Sequence, residues 1–367
     1  MKRYCLALAC CLAAIVAVSC KKKAETGEPP IALVSYIIEN RNLPSHKLVA
    51  SYSGNDASKS VFLVGSPVLC EAMRQKLLEV DAHDNIDGRL SPDGLPDFAG
   101  ELVCTVVDFA NAPYSAHAGR EEALREVAVR DMLVTMDTLC FINEYDRSGV
   151  ASKPLPKLVV MASPYAAAYG KYDIDTLFKS LGCRLPVVYP LETMLDGVFA
   201  KKAGSLNIGF ITGEESLDST ACEALLKGKA EADKRSGCTG VVFASDLSAP
   251  DPLLSFLDSC LLAGKVRPLD AIIVDDPFAD AVGMRMTLGR ITNPDNPESL
   301  SYGKLIAPGC MIIEICESVS DECYRILRKG NLFTHNISLP RSLEFKTAML
   351  SDSTFVLTPF DNGDPLR

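Results

Sequence analysis

Two stretches of the chain run from consecutive apolar residues straight into a serine–proline pair: VFLVG before Ser66-Pro67 and KLVVMA before Ser163-Pro164. An unbroken apolar run of this length suits a strand buried on both faces of a parallel sheet. Serine is a favoured helix N-cap, and proline is at home in the first helical turn. Each stretch is therefore a strand that turns directly into a helix at the carboxyl edge of its sheet. The same alternation recurs in LNIGFITG from Leu206 and in LDAIIVDD from Leu269. The expected fold class is α/β, with two Rossmann-like lobes, mostly parallel sheets and an interlobe cleft.

Taken in order, the apolar runs at 31–36, 46–52 and 61–65 are expected strands, and a helix follows to about residue 80. A strand at 102–109 precedes a long amphipathic helix at 120–140, where Leu124, Val127, Met132 and Met136 keep helical spacing. Strands at 157–162 and 185–189 complete a first lobe spanning 31–203. The second lobe, 204–335, holds strands at 206–213, 240–245, 269–274 and 304–307. Helices are expected at 219–234, 252–263 and 318–329, and a loop at 288–302. The segment 336–367 should add a helix and a strand, 354–358, that returns to the first lobe.

Between the apolar runs around 61–65 and 102–109 lies DAHDNIDGRLSPDGLPDFAGE, residues 81–101, with five aspartates, one glutamate and three glycines. A connection this long inside a compact domain is either functional or disordered. Its apolar residues Ile86, Leu90, Leu95 and Phe98 suggest that it packs down, with a buried Phe98 ring contributing about 1.5–3 kcal/mol. The expectation is that the loop folds over the cleft mouth and brings Asp97 and Glu101 near Asp108 and Asn111. A divalent metal held by His83, Asp84 and Asp87 is the alternative. The calcium-loop pattern, however, has His83 where aspartate is wanted and Gly94 where glutamate is wanted. Asx-turns closed on the loop's own backbone would need no ligand at all.

Residues 1–19 read as a secretory signal, with basic Lys2 and Arg3 followed by an apolar core too short to span a membrane. Ala17-Val18-Ser19-Cys20 resembles the lipobox of bacterial lipoproteins. That resemblance implies lipid on Cys20, a tether over 20–30, and a chain anchored in the cell envelope facing outward, the lipid bilayer being a partner. Of fourteen cysteines, Cys5, Cys10 and Cys11 would leave with the signal and Cys20 would carry the lipid. The other ten lack CxxC or zinc-like spacing and are expected to be free core thiols. A net charge of −10 argues against a nucleic-acid partner.

The order of elements, carried by LNIGFITG at mid-chain and LDAIIVDD some sixty residues later, resembles the bilobal type 1 solute-binding proteins. That resemblance implies a small polar ligand in the interlobe cleft, no cofactor, and a membrane transport partner. Ligands of open α/β sheets sit beyond the carboxyl ends of strands. Candidate contacts there are Ser66, Asp108, Asn111, Ser163, Tyr165, Asp246 and Asp275, with Asp97 and Glu101 from the loop. Thr212, Glu214, Asp276 and Glu314 occupy similar positions. The set is rich in acceptors and poor in Arg and Lys, which favours hydroxyl- or ammonium-bearing ligands. Two enzyme classes compete with plain binding. One is a metal-assisted hydrolase using the acidic loop. The other resembles the cofactor-independent amino-acid racemases, with Cys70 and Cys310 as proton-exchanging thiols in opposite lobes. The flanking motifs of that family are absent.

Overall fold

The computed structural model describes residues 29–117, 119–141, 150–244, 246, 249–264, 267–334, 336–349 and 355–359. Two helices open the body, α1 (Ala32–Glu39) and α2 (Pro44–Ala50). Both replace expected strands. In α1 the buried side chains Val34 and Ile37 are three residues apart and Tyr36 faces out, which is helical rather than alternating burial. In α2, Pro44 occupies the first turn, a helix-start signal in the sequence that the apolar run outweighed.

The first lobe then follows as β1 (Ser60–Gly65), α3 (Pro67–Glu79), β2 (Leu102–Val107), α4 (Glu121–Met136), a hairpin of β3 (Leu139–Phe141) and β4 (Val150–Ser152), β5 (Pro156–Ala162), α5 (Pro164–Leu181), β6 (Val187–Val188) and α6 (Pro190–Lys201). The second is β7 (Asn207–Thr212), α7 (Ser219–Ala232), β8 (Thr239–Ala244), α8 (Pro252–Ala263), β9 (Leu269–Asp275), α9 (Ala281–Thr292), α10 (Ser299–Tyr302), β10 (Ile306–Glu314) and α11 (Ile315–Gly330). The chain closes with β11 (Arg341–Met349) and β12 (Phe355–Pro359). Among the described residues after 335 there is no helix. Phe345 and Thr347 are buried two residues apart, the strand period.

One sheet has the order β12-β11-β2-β1-β5-β6 and the other β10-β9-β7-β8. Within these two sheets all pairings are parallel except β11 with β12, and β3 with β4 forms a separate antiparallel pair. The fold is thus α/β with two mostly parallel sheets. β11 joins the first sheet beside β2, in register from Arg341 with Leu102 to Lys346 with Val107. Buried side chains form one continuous cluster from β1 and β5 through Met194 and Val198 of α6 to Phe210, Ile273 and Val319 of the second lobe. A second cluster lies on the other face of the smaller sheet, around Phe256, Ile272 and Met284. At the end of β1, Gly65 has φ +143°, and a Cβ there would lie 2.8 Å from the Ala162 carbonyl. Only glycine lets the two strands close at their carboxyl edge. No helix among the described residues is long and apolar enough to cross a membrane. The ten cysteines from Cys70 to Cys323 are free.

Candidate functional site

The carboxyl ends of the central strands in the two sheets converge. Ser66 and Ser163 are fully buried and cap α3 and α5, accepting from the N–H groups of Leu69 (3.3 Å) and Ala166 (3.4 Å). The 213–218 turn after β7 reaches across to both caps. Ser66 lies beside the carboxylate of Glu215 and favours its charged form, and the Asp218 carboxylate lies close enough to Tyr165 to add to the burial that raises its hydroxyl pKa. Expected site residues of the first lobe therefore do meet the second lobe, although their polar atoms serve the turns as well as any ligand.

Asp108 is a hub of the first-lobe edge. Its carboxylate accepts from Ala110 N–H (3.1 Å), Asn111 N–H (3.3 Å), the Asn111 amide (2.6 Å) and Thr347 Oγ1 (2.5 Å). Tyr114 donates to Asp131 at 2.7 Å. Asp131 is wholly buried, and burial, with Asp108 adding, holds its pKa well above the carboxylate range. Sequence reasoning missed Asp131, yet a signal was present. Val127, Asp131 and Thr135 share the buried face of α4 at four-residue spacing, so one position of that face carries a carboxyl.

Asp275 ends β9 and is 2 % exposed. Neither carboxylate oxygen has a hydrogen-bond partner among the described residues. Burial is the main cause that raises its pKa to about 7; Asp276 and Glu314 push the same way and neighbouring Ser216 pulls against them. The Ser216 hydroxyl is nevertheless committed elsewhere, donating at 2.5 Å to the Asp275 main-chain oxygen, which also accepts from Gly213 N–H at 3.2 Å. These bonds seat the turn carrying Glu215 against Asp275. Glu215 is itself raised by burial, and its Oε2 has no partner. Glu314 caps α11, accepting from Cys316 N–H (2.7 Å) and Glu317 N–H (2.8 Å), and burial raises its pKa too. Glu215 lies three residues past the last of β7, just beyond where the strand-end rule looked.

The remaining candidates fall elsewhere. Asp246 is exposed, beyond the end of outer strand β8. Asp97 and Glu101 do not join Asp108. The 81–101 loop leads from α3 into the start of β2, so it lies at the amino edge, and six strand residues at about 3.3 Å each separate Glu101 from Asp108. Glu101 is buried in an ion-pair contact with Lys157 of β5, Oε2 to Nζ 2.7 Å, while its Oε1 accepts from Thr334 N–H at 2.7 Å. Asp97 accepts from Ala82 N–H (3.0 Å), His83 N–H (2.9 Å) and His83 Nδ1 (2.9 Å). Phe98 is fully buried, its ring 6.1 Å from Phe333, and pins the loop to the body.

The metal alternative dissolves in the same hydrogen bonds. Asp84 accepts from the N–H groups of Ile86 and Asp87, Asp87 pairs with Arg89, and His83 stacks on Tyr324 with centroids 4.0 Å apart. Among the described residues no cluster of His, Cys, Asp and Glu could hold a metal ion.

The two candidate thiols have unlike surroundings. Cys70, inside α3, is fully buried near Glu215 and Asp131, and burial raises its pKa well above the usual value. Cys310 sits mid-strand beside Lys202 and Asp270, its thiol pushed up to about 12 by burial. The thiol at the carboxyl edge of the second sheet is Cys316, the second residue of α11, which burial and Glu314 also hold protonated. Cys20 lies outside the described residues.

No family model matches the sequence, and neither does any curated protein. Among solved structures, the chain is similar to glutamate racemase isoform RacE1 from Bacillus anthracis, at TM-score 0.48 and 16 % identity over 80 % of this chain and 90 % of that one. Glutamate racemase from Francisella tularensis, solved with D-glutamate, gives 0.46 and 13 % over 80 % and 89 %. An aspartate racemase homologue from Pyrococcus horikoshii gives 0.36 and 11 % over 74 % and 99 %. No chemistry is carried over from likenesses this distant. What the chain's own residues establish is a two-sheet α/β protein whose carboxyl-edge pole gathers buried, under-bonded carboxyls.

Proposed function

We propose that this pole is the site of a cofactor-independent proton-transfer enzyme, racemase-like in class, acting on a small molecule that carries an ammonium group. The observation that carries the reading is Asp275: a buried carboxyl with both oxygens free and a pKa raised to about 7. A general acid–base works best when its pKa lies near the operating pH. Strongly perturbed groups in such positions mark functional sites. Glu215 is a second proton carrier on the adjoining turn. The wealth of acceptors around both groups suits an ammonium better than an anion.

The test is solvent exchange. The purified chain is incubated in D2O with acidic, neutral and basic amino acids, and loss of the α-proton signal is followed by NMR. Exchange of one substrate class, abolished by Asp275→Asn and slowed by Glu215→Gln, supports the reading. Saturable binding without exchange would replace it with the passive solute-binding reading, and neither exchange nor binding would remove both. We further propose lipid attachment at Cys20, which places the protein in the cell envelope. Cys20→Ala should abolish lipid labelling and leave unprocessed precursor, and unchanged labelling would refute this.

A further inference from the structure

The 81–101 loop and residues 331–334, 336 and 337 enclose an open cavity of about 680 Å³ with the end of α11, within the range of small-ligand pockets. Large aliphatic side chains on facing walls are left in water: Ile86 is 90 % exposed and Ile337 89 %. Leu95 adds to the same lining. Gathered apolar groups of this kind mark a surface that something covers. The wall also presents a cation. Arg328 donates to the Ile86 carbonyl at 3.2 Å and to the Tyr324 hydroxyl at 3.4 Å, both at long range, and its charge also reaches the Asp84 carboxylate, which is hydrogen-bonded to its own loop backbone. Gly88, at φ +74°, makes room for it, since a Cβ there would lie 2.3 Å from the arginine Nε.

The loop's acids, by contrast, are turned onto their own backbone. Asp93 accepts from Asn85 and Leu95 N–H, and Asp97 holds the 82–83 backbone and His83. These bonds also stiffen the first wall. The Gly100 N–H to Ser338 carbonyl bond (2.6 Å) and the Thr334 N–H to Glu101 bond tie the second wall to it. A cavity held open this way loses little freedom when a ligand enters.

We propose that this cavity binds a small amphiphile, with a carboxylate head on Arg328 and an aliphatic tail between Ile86, Leu95 and Ile337. The guanidinium fork matches a carboxylate in shape and charge. The site lies apart from the carboxyl-edge pole and does not rest on the proton-transfer reading. The test is calorimetric titration of the whole chain with octanoate, octanol and octylammonium. Octanoate should bind saturably at one site, at least tenfold more tightly than either of the others. Arg328→Gln should remove that preference, leaving octanol unchanged. Ile337→Asp, at an exposed position that folding does not depend on, should abolish binding of all three. Equal affinity for the three head groups, no loss in either variant, or no binding at all would overturn the proposal.

Discussion

Replacing Lys157 by methionine isolates the carboxylate of Glu101. Both side chains have no exposed surface, and their charged atoms lie 2.7 Å apart. Burial raises the Glu101 pKa despite Lys157, and burial lowers that of Lys157 despite Glu101. Desolvation therefore roughly offsets the Coulomb attraction, and the pair adds little net stability. Breaking it is another matter, because one buried charge is left with fewer partners, a loss of about 3–5 kcal/mol. In Lys157→Met only the Thr334 N–H still holds Glu101. The lost amine also leaves the carbonyls of Ala57 and Leu332, which accepted from it at 2.9 and 2.7 Å. We expect urea denaturation to show a loss of about 3–5 kcal/mol at pH 8 with an unchanged m-value. The loss should shrink toward pH 5 as the stranded Glu101 takes up a proton. Glu101→Gln with Lys157→Met should recover most of it, since a neutral pair avoids the desolvation penalty. A single-variant loss below about 1 kcal/mol, or a double variant as poor as the sum of the two singles, would refute the reasoning.

Other expectations follow from the same structure. Asp275 has a folded pKa of about 7 against 3.8, so the native state holds a proton that the unfolded chain releases. Stability from this group is full below the unfolded value and falls as pH rises through 7. The total is about 4 kcal/mol at 1.36 kcal/mol per unit. Asp275→Asn should therefore gain stability relative to the native protein between pH 4 and 8, and a pH-independent difference would contradict this. Asp97→Asn should destabilise by about 1–3 kcal/mol, because a buried hub receiving two N–H groups and His83 loses its charge; a neutral effect in thermal melts would show that the loop does not depend on it. Gly65→Ala should be among the more damaging single-methyl changes, since its Cβ meets backbone at 2.8 Å. Native-like melting of that variant would show that the strand ends are not close-packed.

Much of the fold was legible because β1, β5, β7 and β9 are unbroken apolar runs that end in a polar residue at a turn. The runs at 31–36 and 46–52 misled because six or seven residues show too little of their period to separate helix from strand. The strand-end rule located Ser66, Asp108, Ser163 and Asp275. It missed Glu215, three residues into its turn, and Asp131, which reaches the edge from the middle of a helix. The acidic loop was misplaced for a topological reason. It follows a helix and precedes a strand, so in a parallel sheet it lies at the amino edge, however many carboxylates it carries. Of its four large apolar residues only Phe98 is the expected anchor, for Ile86, Leu90 and Leu95 are left exposed. The partner of Glu101, Lys157, stands 56 positions away on a strand whose other residues gave no hint of a buried charge.

The most direct measurement is the protonation of Asp275 itself, read from the carboxylic acid C=O stretch in the infrared difference between the native protein and Asp275→Asn across pH 5–9. A band present at pH 5 that disappears with a midpoint near 7 is the result expected of a buried proton carrier. A carboxylate already ionised at pH 5 would contradict the account.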